Sequence, residues 1–119
     1  MLLGRFGEAA AAEYLRKNGY KILGMNYRTR VGELDLIASR GDFVAFVEVK
    51  LRKDGSFAQA REFVTRSKQQ RLIAAAELWL QSSGTKLQPR FDVIEVYAPR
   101  GTDTRDPLIR HWENAFIAD

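Results

Sequence analysis

Two acidic residues and a lysine stand in an otherwise apolar segment, residues 32–50, with the sequence GELDLIASRGDFVAFVEVK. Two runs typical of β-strands flank the dipeptide Gly41-Asp42, which is a favoured two-residue hairpin turn. If these two residues form the turn, Asp35 lies directly opposite Glu48. A three-residue loop would give another register, but the two-residue turn is the simpler prediction.

The pattern of side chains supports this register. Side chains alternate between the two faces of a sheet, and directly opposed residues share a face. One face of the hairpin is then wholly apolar and the other carries every charge. The charged face holds Glu33, Asp35, Ile37, Phe46, Glu48 and Lys50, and the apolar face holds Leu34, Leu36, Ala38, Ala45, Val47 and Val49. A slip of one residue would mix the two sets.

Opposed carboxylates need a compensating positive charge, because at about 5 Å and an effective dielectric constant near 20 they repel by roughly 3 kcal/mol. Lys50 is one candidate. A divalent cation is the better one, since Mg²⁺ or Mn²⁺ prefers hard oxygen ligands. Asp35 and Glu48 would hold this metal together with the carbonyl of Val49, and Lys50 would act as the catalytic base on a water that attacks phosphorus. The alternative is a solvated face on which Lys50 merely balances the acids.

These residues resemble the PD-(D/E)xK nuclease superfamily, in which an acidic strand residue is followed by Glu-x-Lys on the next strand. Here the matching residues are Asp35, Glu48 and Lys50, and Leu34 stands where a Pro is often found. The surrounding sequence resembles the small YraN-like family, which is related to Holliday junction resolvases. That resemblance covers the chain from about Gly4 to Phe116 and rests on the segments GRFGEAAAAEYL, NYRTRVGELDLIA, FVEVKLR, VTRSKQQRL and HWENAF.

The resemblance implies an α/β, restriction-endonuclease-like core and a Mg²⁺- or Mn²⁺-dependent DNA endonuclease, acting on branched or damaged DNA in repair or recombination. It also implies that Glu8, on the first helix, is an additional acid near the metal. From the residues alone, Glu8 lies on the same stripe as Ala11, Ala12 and Leu15, and the alternative is an ordinary acid at a helix start. A non-catalytic nucleic-acid-binding protein that keeps the fold is the alternative function.

The secondary-structure pattern predicts one domain over residues 1–119, in the order helix, three strands, helix, and one or two strands. The first helix spans 4–18 and ends at Gly19, and the second runs from a Thr65 N-cap to Gly84. The strands are predicted at 20–28, 32–39, 43–52 and 90–98, with a short strand and turn at 108–116. We expect a central mixed sheet with the helices packed on it, and a loop from Lys53 to about Phe63.

Basic residues cluster in the sequence around the proposed site. They would contact phosphates on either side of the cut, and the resemblance points most to Lys68. As an alternative, those on the second helix form a solvated face. The set consists of Arg28, Arg30, Arg52, Lys53, Arg61, Arg66, Lys68 and Arg71.

Composition is compatible with a nucleic-acid partner without requiring one. The chain of 119 residues has 19 Lys and Arg against 15 Asp and Glu, for a net charge of +4. It has no cysteine and no long apolar run, so we expect a cytoplasmic protein without a membrane segment.

Of the remaining polar residues, Asp92 is expected to pair with Arg90 on an edge strand, and His111 to pack or face solvent. A junction-cleaving enzyme would be a homodimer, because a four-way junction needs two cuts.

Overall fold

The computed structural model of the chain describes residues 2–53 and 64–116. The predicted order of elements is confirmed, and the last segment is a full nine-residue strand rather than a short strand and turn. The elements are α1 (Leu2–Lys17), β1 (Lys21–Arg28), β2 (Glu33–Arg40), β3 (Phe43–Arg52), α2 (Arg66–Ser83), β4 (Gln88–Tyr97) and β5 (Leu108–Phe116). Most of the predicted loop after Lys53, with Arg61, lies outside the described residues.

The five strands form one mixed sheet in the order β1-β2-β3-β4-β5, which confirms the predicted α/β architecture. Strands β3 and β4 are parallel and the other neighbours are antiparallel. The parallel pair needs a crossover connection, and α2 supplies it. This topology brings the end of the β2–β3 hairpin next to the start of α2.

Each face of the sheet is covered by one helix. Ala11 and Leu15 of α1 pack on Leu36 and Val47, whereas α2 packs on the opposite face. On that face Leu72, Ala75 and Ala76 cover Ile37 and Phe46. The face predicted to carry the hairpin's charges is therefore buried over Ile37 and Phe46, not solvated along its length.

Leu34 departs from the predicted alternation. It packs in the cluster beneath α2, with Ile37 and Phe46, and not with Leu36 on the α1 face. Regular backbone pairing of β2 with β3 ends at Leu36. Beyond that point the side chains of β2 need not alternate between the two faces of the sheet, so Leu34 can face α2. The change in side-chain direction thus begins at Asp35, the acid predicted to lie opposite Glu48.

The start of α2 is fixed by its N-cap and by a close backbone approach. The Thr65 hydroxyl accepts a hydrogen bond from the backbone N–H of Lys68 at 3.1 Å, which confirms the predicted cap. Beyond the first turn, a Cβ at Gly32 would overlap the backbone carbonyl of Arg71, so only glycine lets the β1–β2 connection approach this closely. Both features hold Lys68 over the hairpin. None of the helices in the described ranges is long and apolar enough to cross a membrane.

Candidate metal centre

The hairpin has the predicted register. Arg40 pairs with Phe43 across the turn, Gly41 has a positive φ of 58°, and pairing continues to Leu36 opposite Val47. The next row holds Asp35 and Glu48, whose side chains hydrogen-bond each other. The prediction that these two acids face each other is thus confirmed.

Backbone pairing stops at the acidic row and a side chain takes its place. The backbone N–H of Val49 donates to Oδ2 of Asp35 at 2.8 Å instead of to a carbonyl of β2. Because the N–H and C=O of one strand residue point to the same side, the carbonyl of Val49 also faces this gap. Asp35, Glu48 and Val49 therefore present oxygen atoms around one opening in the sheet.

The pKa values of Asp35 and Glu48 are shifted in opposite directions. Burial, the hydrogen bond with Glu48 and the charge of Glu48 together raise the pKa of Asp35 to about 8. Burial alone would raise the pKa of Glu48 as well, but the hydrogen bonds from Asp35 and Lys68 outweigh it and hold that pKa below its ordinary value. Without a metal, Asp35 thus keeps its proton to a higher pH than Glu48 does, and Asp35 is the acid that donates in the hydrogen bond between them.

Two lysines contact the same carboxylate, and their pKa values are shifted in opposite directions. Nζ of Lys68 forms an ion pair with Oε2 of Glu48, and Nζ of Lys50 lies 3.6 Å from that oxygen. Burial lowers the pKa of Lys50, and the neighbouring Lys68 ammonium lowers it further against the attraction of Glu48. The pKa of Lys68 is raised, because its contacts with Glu48 outweigh its burial. Lys68 is the permanent cation of the pair, and Lys50 is the one that gives up its proton more readily.

The gap opens into a cavity of about 200 Å³. Its oxygen donors, two carboxylates and a strand carbonyl, are the hard ligands that Mg²⁺ and Mn²⁺ take while keeping several waters. The donor set therefore fits such a cation once Asp35 loses its proton. The cavity is lined by Asn26, Arg28, Glu33, Leu34, Asp35, Glu48, Val49 and Lys68.

The expected third acid lies one cavity away. Within the part of the chain that the structure describes, no three acidic or histidine side chains converge closely enough to hold a metal. Oε1 of Glu8 accepts a hydrogen bond from Nδ2 of Asn26 at 2.7 Å, beside a neighbouring cavity of about 480 Å³. Glu8 is close enough for its charge to contribute to the raised pKa of Asp35. The structure brings together Asp35, Glu48, Val49 and Lys50, but not Glu8.

The predicted nucleic-acid-binding residues fall into three groups. Arg28 and Lys68 line the cavity. Arg28 and Arg71 share Glu33, which also lines it, as an ion-pair partner, at 3.8 and 3.9 Å. Arg30 and Lys53 are exposed. Arg52 instead turns inward, with Nε 3.2 Å from the fully buried Glu95 and its side chain only 20% exposed. Arg52 therefore stabilises the interior, in contrast to the expected phosphate contact.

Asp92 and His111 belong to a buried polar network on the α1 face. The carboxylate of Asp92 accepts two hydrogen bonds from Arg90, at 2.9 and 2.8 Å, which confirms the predicted pair. The strand is interior, however, and not an edge. Nε2 of His111 lies 2.7 Å from Asp92 and its Nδ1 lies 3.2 Å from the hydroxyl of Tyr14, so His111 ties α1 to the sheet instead of only packing or facing solvent.

Sequence reasoning missed Asn26, Glu33 in its role as arginine partner, and Glu95. One feature of the sequence pointed to Asn26. It is an asparagine near the end of a predicted strand, just before a tyrosine typical of strands. Apart from glycine, Asn is the residue type that best tolerates a positive φ. Glu95 gave no such signal, because a Glu in an otherwise apolar strand is indistinguishable from an outward-facing residue until the neighbouring strand is known.

Comparison with known proteins places these residues in a family context. The family described as "Uncharacterised protein family UPF0102" matches residues 7–96, a range that contains the whole candidate centre. A UPF0102 protein of Pelotomaculum thermopropionicum is 46% identical over 116 residues, covering 97% of this chain and 95% of the relative. UPF0102 proteins of Symbiobacterium thermophilum and Rhodococcus jostii are 47% and 42% identical, each covering 98% of this chain and 97% of the relative. None of these names states an activity.

Proposed function

The chain belongs to the UPF0102 family, and from its candidate centre we propose that it is a metal-dependent DNA endonuclease of the PD-(D/E)xK type. One observation carries the proposal. Two hydrogen-bonded carboxylates and a strand carbonyl meet at a break in the sheet, and two lysines of opposite pKa shift contact one of those carboxylates. Metal-dependent phosphodiester hydrolysis uses such a combination, in which oxygen ligands hold the cation, an amine accepts a proton and a fixed positive charge stabilises the phosphate.

Asp35, Glu48 and the carbonyl of Val49 would hold Mg²⁺ or Mn²⁺. When bound, the cation would polarise the phosphate and stabilise the negative charge that develops on it. Asp35 must release its proton for the site to load, so loading should improve as pH rises toward its pKa of about 8. Glu48 is already ionised at neutral pH, because Lys68 stabilises its charge.

Lys50 has the environment of a general base. Its lowered pKa leaves a larger fraction of neutral amine at neutral pH than an exposed lysine would have. The oxygen of a water molecule bonds to phosphorus, the water's proton passes to the Lys50 amine, and the bond from phosphorus to the leaving sugar oxygen breaks. That oxygen takes its proton from solvent. Lys68 stays charged and stabilises the phosphate oxygens.

The basic residues around the cavity would bind the DNA backbone and hold it next to the metal site. Arg28 and Lys68 line the cavity and Arg71 lies on the next turn of α2. Contacts of this kind position a backbone without reading its sequence. The choice of branched or damaged DNA, and a role in repair or recombination, follows from the resemblance to junction resolvases. For four-way junctions the active form would be a homodimer, and a purely monomeric protein in sedimentation at micromolar concentration would contradict that substrate.

Cleavage of a panel of labelled nucleic acids tests the proposal. Duplex, single-stranded, flap and four-way-junction DNAs, with one duplex RNA, are incubated with Mg²⁺ or Mn²⁺ and with EDTA. We expect metal-dependent cuts in at least one branched DNA, and no cuts with EDTA or with Asp35→Asn. Junction binding without any cleavage would favour the non-catalytic binding protein, and preferential cleavage of RNA would move the proposal to an RNA-directed nuclease.

A further inference from the structure

Asn26 lies in the same row of the sheet as the two acids of the candidate centre. On β1, Met25 pairs with Leu36 and Tyr27 pairs with Leu34, so Asn26 falls opposite Asp35. Asp35 in turn lies beside Glu48 on β3. Three neighbouring strands therefore contribute Asn26, Asp35 and Glu48 side by side, although only the last two are joined by a hydrogen bond.

The backbone of Asn26 is in the left-handed region, with φ at 52°. Non-glycine residues adopt this conformation rarely and at some cost, and they do so most often where the surrounding structure requires it. Here the conformation occurs inside a strand, not in a turn. It accompanies a specific contact, because Nδ2 of Asn26 donates to Oε1 of Glu8 at 2.7 Å.

Asn26 also forms the boundary between two cavities. The cavity of about 200 Å³ contains Asp35 and Glu48, and the one of about 480 Å³ contains Glu8. Asn26 and Arg28 line both of them. The residue that donates to Glu8 therefore also lines the cation cavity.

We propose that Asn26 is a positioning residue of the metal centre, which holds Glu8 at the boundary of the cation cavity through its side-chain amide. This inference rests on the proposed function. Arg5 and Arg28 line the same outer cavity as Glu8 and offer that carboxylate competing partners. The amide of Asn26 keeps the Glu8 charge beside the cation cavity, where that negative charge would strengthen cation binding. Hydrogen bonds of this kind orient metal sites without contacting the metal.

The test is the affinity for Mn²⁺, measured by calorimetry without substrate. Asn26→Gly removes the amide and keeps a residue that adopts a positive φ without strain. The matched control is Asn114→Gly, because Asn114 has the same residue type and a φ of 54° on the opposite edge strand. Glu8→Gln and the Asn26→Gly/Glu8→Gln double variant complete a double-mutant cycle. Thermal unfolding of each variant confirms that it is folded.

We expect Asn26→Gly and Glu8→Gln each to weaken Mn²⁺ binding by about tenfold, and Asn114→Gly to leave it unchanged. The double variant should bind no more weakly than the weaker single variant, because the amide acts through Glu8. Wild-type affinity in Asn26→Gly, or fully additive losses in the double variant, would overturn the inference. If Asp35→Asn abolishes binding while Asn26→Gly does not weaken it, the inference alone fails. If the wild-type protein binds no Mn²⁺, or if Asp35→Asn binds it equally well, both the proposed function and this inference are wrong.

Discussion

The carboxylate of Asp35 accepts a hydrogen bond from the backbone N–H of Val49 at the point where β2 and β3 stop pairing. One side chain thus replaces a backbone acceptor and leaves the carbonyl of Val49 facing an opening. Burial, the hydrogen bond with Glu48 and the charge of Glu48 raise the pKa of the same carboxyl group to about 8. A break in the hairpin and a polar, acidic site therefore arise from a single residue.

Replacement of Asp35 by Asn should stabilise the metal-free protein while removing the metal site. The folded protein holds the pKa of Asp35 at about 8, above its ordinary value, so ionisation costs stability progressively as pH rises from about 4 to 8. Asn cannot ionise, and it can still donate to Glu48. We expect Asp35→Asn to gain roughly 1–2 kcal/mol in free energy of unfolding at pH 8 in EDTA, a figure reduced for partial solvation, and little at pH 4.

Urea unfolding at several pH values measures this effect. Asp42→Asn is the control, because Asp42 is an exposed acid in the turn of the same hairpin. It should leave the pH dependence of the free energy of unfolding unchanged. A loss of stability in Asp35→Asn at pH 8 would show that the carboxylate is not under strain there.

Removal of Lys68 should shift the pH dependence of the centre as well as weaken phosphate binding. Lys68 forms the ion pair that helps to keep Glu48 ionised, so Lys68→Ala raises the pKa of Glu48. The pH at which Mn²⁺ binding is half-maximal should then rise, and DNA affinity should fall. Lys86→Ala, an exposed lysine between α2 and β4, is the control. An unchanged pH profile in Lys68→Ala would contradict the assigned contact.

A methyl group at Gly32 should displace α2 from the site. The new Cβ would overlap the backbone carbonyl of Arg71, which cannot move as a flexible side chain would. We expect Gly32→Ala to lose about 1–3 kcal/mol in free energy of unfolding and to weaken metal binding, because Lys68 moves with the helix. Gly4→Ala is the control, since nothing lies within 4 Å of its added Cβ. Equal stability of the two variants by urea unfolding would contradict the close approach.

The Asp92 network should govern acid stability without affecting the centre. The hydrogen bonds from His111 and Arg90 outweigh burial and hold the pKa of Asp92 below its ordinary value. Its contribution is therefore complete above about pH 4 and is lost as pH falls through the lowered pKa. Asp92→Ala should lose about 3–5 kcal/mol at pH 7 and progressively less in acid. A deficit that persists undiminished in acid would argue against an ionised Asp92.

The elements and the acidic row could be predicted because both depend on local pattern. Alternating side chains and the Gly41-Asp42 turn were enough to place Asp35 beside Glu48, and Thr65 and Gly84 marked the ends of α2. The position of Leu34 under α2 could not be predicted, since it follows from the break in pairing. The contact of Asn26 with Glu8 could not be predicted either, because the two residues lie 18 positions apart on different elements.

The inward turn of Arg52 could not be predicted for a related reason. Its partner Glu95 lies on β4, and which residue of β4 neighbours it is fixed only by the parallel register of β3 and β4. A basic residue that follows Lys50 suits a phosphate contact equally well on sequence grounds. The register of β3 against β4 thus determines that Arg52 forms an ion pair with Glu95.

The comparison of wild type with Lys50→Ala shows whether the Lys50 amine is the proton acceptor in metal-dependent DNA cleavage. Both proteins are assayed on the best-cleaved DNA of the panel with Mn²⁺, and binding of the same DNA is measured in EDTA. Wild type should cut, and Lys50→Ala should bind with similar affinity but cut at least about 100-fold more slowly, because the proton acceptor is missing. Undiminished cleavage by Lys50→Ala would contradict the assignment of the base, and absence of metal-dependent cleavage by wild type on every DNA would contradict the nuclease itself.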